Sequence, residues 1–202
     1  MRIHFGSGGN FLHFYLGVAA KMQLNRLDIK RLSGVSAGTF AAAFLAYHID
    51  INKEYKNWNL RLCKELDKNE KTIDSFLKVT EPLFINKKCE IPLDIWTSKI
   101  QVPYITSHRF CGKEDLFDKM ACSCYIPIFC PNKTLLYRYK DEYYIDGVIT
   151  FDKEKDYNHV INYKNYIKDV KMLDKLPSSD VEKNQKLYEL GKDSFDLRLI
   201  HK

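Results

Sequence analysis

A serine set between glycines, in Gly34-Val35-Ser36-Ala37-Gly38, is the residue of this chain best suited to act as a nucleophile. The G-x-S-x-G pattern puts a serine on a tight turn between a strand and a helix. Gly34 and Gly38 let the backbone turn sharply and neighbouring segments come close. Ser36 is then held up with its hydroxyl free, and the next helix points its N-terminus at the reacting centre. That geometry suits attack on an ester carbonyl. A serine also needs a base, and its oxyanion needs donors. The donors are expected at Gly8 and Gly9, in a turn that leaves a strand and opens a helix. Backbone N–H groups there are unobstructed, and a helix N-terminus favours negative charge. The base is expected at Asp146, which follows the apolar run Tyr143-Tyr144-Ile145, with Gly147 permitting a sharp exit. The histidines His4, His13, His48, His108, His159 and His201 lie in no motif that recommends them.

These residues need a scaffold, and the pattern of the chain supplies one. Arg2 to Phe5 reads as a strand, and a helix follows from about Asn10, as N-cap, to Gln23. Leu27 to Leu32 reads as a short strand leading to the elbow, and Ala37 to His48 as a buried helix. Ile51 to Phe84 reads as helical, with Tyr55, Trp58, Leu62 and Leu66 as core anchors. Lys87 to Trp96, with Pro92, reads as a loop, and Val102 to Thr106 as a strand. Glu114 to Tyr125 reads as a helix that stops before Pro127. Thr134 to Tyr139 and Glu142 to Ile145 form a predicted hairpin around Lys140-Asp141. His159 to Tyr163 reads as a late strand and Val181 to Arg198 as an amphipathic helix. No repeat or linker interrupts the chain, so residues 1–202 are expected to form one α/β domain with helices on both faces of a sheet.

Composition narrows the function. The chain has 202 residues, 45 % hydrophobic and 29 % charged, enough for a sizeable core and unlike a disordered segment. No apolar run reaches the length of a membrane span; Phe11 to Ala20 is too short. The stretch Met1 to Gly9 lacks the layout of a secretion signal, so a cytoplasmic protein is expected. Cys63, Cys89, Cys111, Cys122, Cys124 and Cys130 are then expected to be thiols. Cys122-x-Cys124 is one residue short of zinc spacing and no second pair answers it, so no metal is expected. The net charge of +6 is spread out, as in Lys153 to Lys186, where lysines alternate with acids and tyrosines. Nucleic-acid binding calls for a denser basic cluster. A weak attraction to anionic lipid surfaces fits this charge. Nor does the glycine loop fit a nucleotide cofactor: Phe11 stands where a third glycine is needed, and no phosphate-binding lysine follows.

Jointly, three blocks resemble the patatin-like phospholipase family. The first is Phe5-Gly6-Ser7-Gly8-Gly9-Asn10-Phe11-Leu12 with Tyr15-Leu16-Gly17-Val18-Ala19, similar to the family's glycine loop and first helix. The second is the elbow, Leu32-Ser33-Gly34-Val35-Ser36-Ala37-Gly38. The third is Ala121-Cys122-Ser123-Cys124-Tyr125-Ile126-Pro127-Ile128-Phe129, leading to Tyr144-Ile145-Asp146-Gly147. The resemblance implies a three-layer sandwich with a mostly parallel central sheet. It implies a Ser36–Asp146 dyad, with Gly8 and Gly9 as the oxyanion hole. The activity implied is hydrolysis of lipid acyl esters at a membrane or lipid surface, without metal or cofactor. An acyltransferase would use the same dyad with an alcohol in place of water. An inactive lipid-binding protein with a relic site is the reading from a different class. Ser7 and Leu12 stand where the family has glycine, Phe11 where a branch has a basic residue, and Val148 where Gly or Ala follows Asp-Gly. These departures bear on rate and substrate range. Phe11, Phe14 and Phe40 are candidates for an acyl groove or for the core. A free aspartate has a pKa near 3.9, so the dyad demands that burial raise Asp146.

Overall fold

The computed structural model describes residues 1–68, 73–111, 114–127, 135–152 and 156–196. Its strands are β1 (Arg2–Phe5), β2 (Arg31–Val35), β3 (Leu93–Gln101), β4 (Tyr104–Cys111), β5 (Tyr137–Tyr139), β6 (Glu142–Ile145) and β7 (His159–Ile161). Its helices are α1 (Leu12–Leu24), α2 (Gly38–Ala46), α3 (Ile51–Lys68), α4 (Ile73–Thr80), α5 (Leu116–Cys124) and α6 (Val181–Ser194). One mixed sheet runs in the order β5-β6-β3-β2-β1-β7, with β4 on the other side of β3. The fold is α/β, with a parallel centre of β7, β1, β2 and β3 and antiparallel additions at β4, β5 and β6.

The register fixes what each face carries. Ile3, Leu32 and Leu93 lie side by side, as do Phe5, Gly34 and Ile95. The crossovers from β1 to β2 and from β2 to β3 run in the same direction, so the right-handed rule puts α1 and α2 on one face. There Phe5 meets Tyr15 of α1 edge to face. The opposite face carries the row His4, Ser33 and Asp94, with Trp96 beyond it. It is covered by a 3-10 turn, Gly147–Ile149, and the segment after it. His4 stacks on Phe151 at 4.4 Å, and Trp96 packs against Phe151 and donates to the Tyr157 hydroxyl. Asp94 is buried and held by a forked pair of bonds from Arg31, at 2.6 and 3.0 Å, and by Tyr157.

Several boundaries differ from the sequence expectation. The second strand is Arg31–Val35, not Leu27 to Leu32, because the strand runs straight into the elbow. The expected loop from Lys87 ends at Pro92, and β3 begins at Leu93. Buried Asp94, Thr97 and Ser98 hide that strand from a hydrophobicity reading. The fourth strand starts at Tyr104, after a turn at Val102-Pro103, and extends to Cys111. Asn10 does not cap α1. A 3-10 turn, Gly9–Phe11, precedes that helix, and the buried Asn10 side chain bonds to Ser178 and Asn184 instead. Ile128, Phe129, Cys130, Thr134, Leu197, Arg198 and His201 lie outside the described residues, as do parts of Ile51 to Phe84 and Lys153 to Lys186. The five described cysteines are thiols.

The C-terminal helix α6 is built into the core. It crosses α1 where Gly17 faces the Tyr188 carbonyl and Gly191 faces the Phe14 carbonyl. Tyr188 stacks on Tyr55 of α3 at 3.7 Å. Asn184 is fully buried; it accepts from Asn10 and donates towards Asn59 and the Ser178 carbonyl. Removing that amide leaves several buried partners unsatisfied. Asn184→Ala is therefore expected to lower stability by about 2–4 kcal/mol, read from urea unfolding.

Candidate active site

The site forms where two strands meet end to end. β4 pairs with one edge of β3 along its length. Along the other edge β2 ends at Val35, opposite Trp96, and β6 arrives from the far side and ends at Ile145, opposite Ser98. Only Thr97 separates the two ends. Ser36 is the first residue past β2 and Asp146 the first past β6, so the topology points them at each other.

The Ser36 hydroxyl donates to Asp146 Oδ2 at 2.6 Å. Ser36 is 6 % and Asp146 1 % exposed. Ser36 has φ of 51°, the left-handed region that a non-glycine residue adopts only under constraint. Asp146 Oδ1 accepts the Val148 N–H at 2.8 Å, capping the 3-10 turn. Burial pushes the Asp146 carboxyl up to about 6, while the bonds from Ser36 and Val148 pull it down. Val148 thus serves the carboxylate through its backbone. Its side chain is 52 % exposed and does not fill the space between Ser36 and Asp146.

The elbow is tightly nested. Val35 is buried beside Gly147, and Ala37 leads into α2 as its N-cap. Gly34 lies against Thr39, and Gly147 against the Trp96 carbonyl. Gly38 is fixed by space: a Cβ there would sit 2.2 Å from the Phe5 carbonyl oxygen and 2.5 Å from that of Gly6. Contact between Gly38 and Phe5-Gly6 brings the glycine loop alongside the elbow, as does the pairing of Phe5 with Gly34. In that loop Gly8 precedes the 3-10 turn and Gly9 opens it, with φ of 56°. The Ser7 carbonyl accepts from Tyr15, and Phe11 stacks on Tyr163 at 4.2 Å. Phe11, Phe14 and Phe40 are all buried core residues. Leu12 is buried as well, as the first residue of α1.

Four hydroxyls that the sequence did not mark brace the two ends. Ser123 accepts the Ser36 N–H, and Thr39 donates to the Ser36 carbonyl. Ser98 donates to the Asp146 carbonyl, and Thr97 bridges the carbonyls of Cys122 and Ile145. Their one sequence signal is a hydroxyl residue in or beside each motif or strand end. The histidines with hydrogen bonds in the core are engaged elsewhere: His4 with Ser33 and His13 with Tyr55. Burial pushes both down to about 3, so each is neutral at ordinary pH. Among the described residues no His, Cys, Asp and Glu cluster has the makings of a metal site, and no helix is long and apolar enough to cross a membrane.

No family model matches the chain. An omega-hydroxyceramide transacylase from Mus musculus is 27 % identical over 163 residues, covering 71 % of this chain and 26 % of the relative. The chain thus spans about a quarter of that protein's length. Among solved structures, VipD from Legionella pneumophila aligns with a TM-score of 0.49 at 12 % identity, over 74 % of this chain and 46 % of that one.

Proposed function

We propose that the chain is a serine-dependent lipid acyl hydrolase of the patatin-like type. The observation that carries this reading is the 2.6 Å bond from the Ser36 hydroxyl to a buried Asp146 carboxylate. Asp146 takes the proton from Ser36, and Ser36 attacks the ester carbonyl. The N–H groups of Gly8 and Gly9 hold the oxyanion. The ester C–O bond then breaks to leave an acyl-enzyme, and the alcohol leaves with the proton from Asp146. Water, giving its proton to Asp146, releases the fatty acid and restores Ser36. A carboxyl raised to about 6 is ionised at neutral pH yet basic enough to share the serine proton.

Transfer of the acyl group to an alcohol is the second reading. The similarity to an enzyme named a transacylase favours it, since both reactions pass through the same acyl-enzyme. The distinction lies in the acceptor, and it is read by adding a long-chain alcohol to the assay and weighing ester product against free fatty acid.

The test of either reading is labelling by a fluorophosphonate, which reacts only with an activated serine. Intact mass should show a single adduct on the wild type and none on Ser36→Ala. A folded wild type that takes no adduct, with or without lipid micelles, moves the relic-site reading to first place.

A further inference from the structure

Ser36 sits in a left-handed backbone conformation, with φ of 51°, which persists only where its surroundings over-determine it. Two bonds to its carbonyl come from Thr39, from the backbone N–H at 2.9 Å and the hydroxyl at 2.7 Å. Thr39 belongs to α2, the helix the elbow leads into, so these bonds would move with the turn. The Ser36 amide is tied differently. It donates at 2.9 Å to Ser123 Oγ, and that hydroxyl donates at 2.6 Å to the Trp96 carbonyl of β3. Ser123 is fully buried in the last turn of α5. Two residues on, the Tyr125 carbonyl accepts the Asp146 N–H at 2.9 Å. One short segment therefore holds the amides of both Ser36 and Asp146.

We propose that Ser123 is a positioning residue for the nucleophile: with Tyr125 it sets the separation of Ser36 from Asp146 and holds the Ser36 hydroxyl on the carboxylate. The proposal deepens the dyad reading and rests on it. It also assigns the Ser36 amide to the scaffold, which removes it from the oxyanion donors. Loss of the hydroxyl frees the Ser36 amide and the Trp96 carbonyl, and lets the turn relax away from Asp146. Misplacement of a reacting group by about 1 Å costs roughly 10²-fold in rate.

The experiment measures the second-order rate constant of fluorophosphonate labelling across pH, on the full chain, for wild type, Ser123→Ala, Ser123→Cys and Thr80→Ala. Cysteine keeps nearly the volume of serine but accepts hydrogen bonds weakly, so it reports on the bond if alanine does not fold. Thr80 is the matched control: a buried hydroxyl ending α4, which accepts from Trp58 and donates to the Phe76 carbonyl, neither of them a hydrogen-bond partner of Ser36 or Asp146. Both Ser123 variants are expected to label about 10- to 10²-fold more slowly. Their acid limb should also move to higher pH, because a serine hydroxyl no longer held on Asp146 stops stabilising its carboxylate. Thr80→Ala should lose stability and keep the wild-type rate and limb. Wild-type rate and limb in a folded Ser123 variant would overturn the proposal, as would equal slowing in Thr80→Ala. A wild type that does not label at all removes the dyad reading itself, a separate outcome.

Discussion

Asp146→Asn is expected to slow covalent labelling of Ser36 by about 10²–10⁴-fold, the usual contribution of a general base. Among the described hydrogen bonds Asp146 is the one partner of the Ser36 hydroxyl. An asparagine would keep an oxygen for the Val148 N–H and turn its amide towards Ser36 as a donor, which accepts no proton. The wild type should then show an acid limb near pH 6, with the rate falling as Asp146 is protonated. In Asp146→Asn that limb should vanish. A wild-type profile flat down to strongly acid pH would refute Asp146 as the base.

The same shift has a thermodynamic consequence of defined sign. The folded state holds the Asp146 proton up to about pH 6, whereas an unfolded aspartate releases it near 3.9. Between those values the native state binds more protons, so this group's contribution to stability falls as pH rises through the window. A difference of about two pKa units corresponds to roughly 2–3 kcal/mol lost by pH 7. Asp146→Asn should therefore be more stable than wild type at pH 7.5, with the advantage fading below pH 4. Urea unfolding at the two pH values checks it. Gain of stability with loss of rate marks a carboxylate kept buried for its chemistry.

The residues of the candidate dyad stand out in the sequence because each sits in a local pattern. Ser36 stands in an elbow that small residues alone can make, and Asp146 ends an apolar strand beside a glycine. What brings them together was not legible. It depends on β2 and β6 sharing one edge of β3, and β3 was hidden, since Asp94, Thr97 and Ser98 break its apolar pattern. Those polar side chains are buried at no great cost because each is paired: Asp94 with Arg31 and Tyr157, Thr97 and Ser98 with carbonyls at the site. Asn10 shows the same limit. Its position before a helix suggests a cap, but a long-range network with Ser178 and Asn184 claims the side chain. A sequence displays local propensity; it does not display which distant carbonyl will turn towards a given hydroxyl.

Gly9→Ala is the second large effect, an expected fall of about 10²–10³-fold in kcat with little change in KM, the signature of a lost oxyanion donor. Two independent features forbid a side chain there. The backbone is left-handed, with φ of 56°, and an added Cβ would lie 2.1 Å from the Lys175 carbonyl oxygen. That oxygen is backbone, at the end of the 3-10 turn Met172–Lys175, so no rotamer change relieves the clash. Either the glycine loop or that turn must shift by something near an ångström. A shift of the turn would relieve the clash but not the left-handed strain, and the flanks of the loop are held, Ser7 and Asn10 bonded to Tyr15 and Asn184 and Phe11 stacked on Tyr163, so the strain is relieved by rotation of the Gly9 peptide itself. That rotation turns the Gly9 N–H, and with it the amide of Gly8, away from the orientation the proposed oxyanion hole requires. Dividing kcat by the folded fraction, read by circular dichroism, separates this from a general loss of folding, which also lowers apparent kcat at unchanged KM but restores the wild-type value once so corrected. Wild-type kcat in a folded Gly9→Ala protein would show that the oxyanion is held elsewhere, and the amide of Ala37, at the N-terminus of α2, would then be the donor to examine.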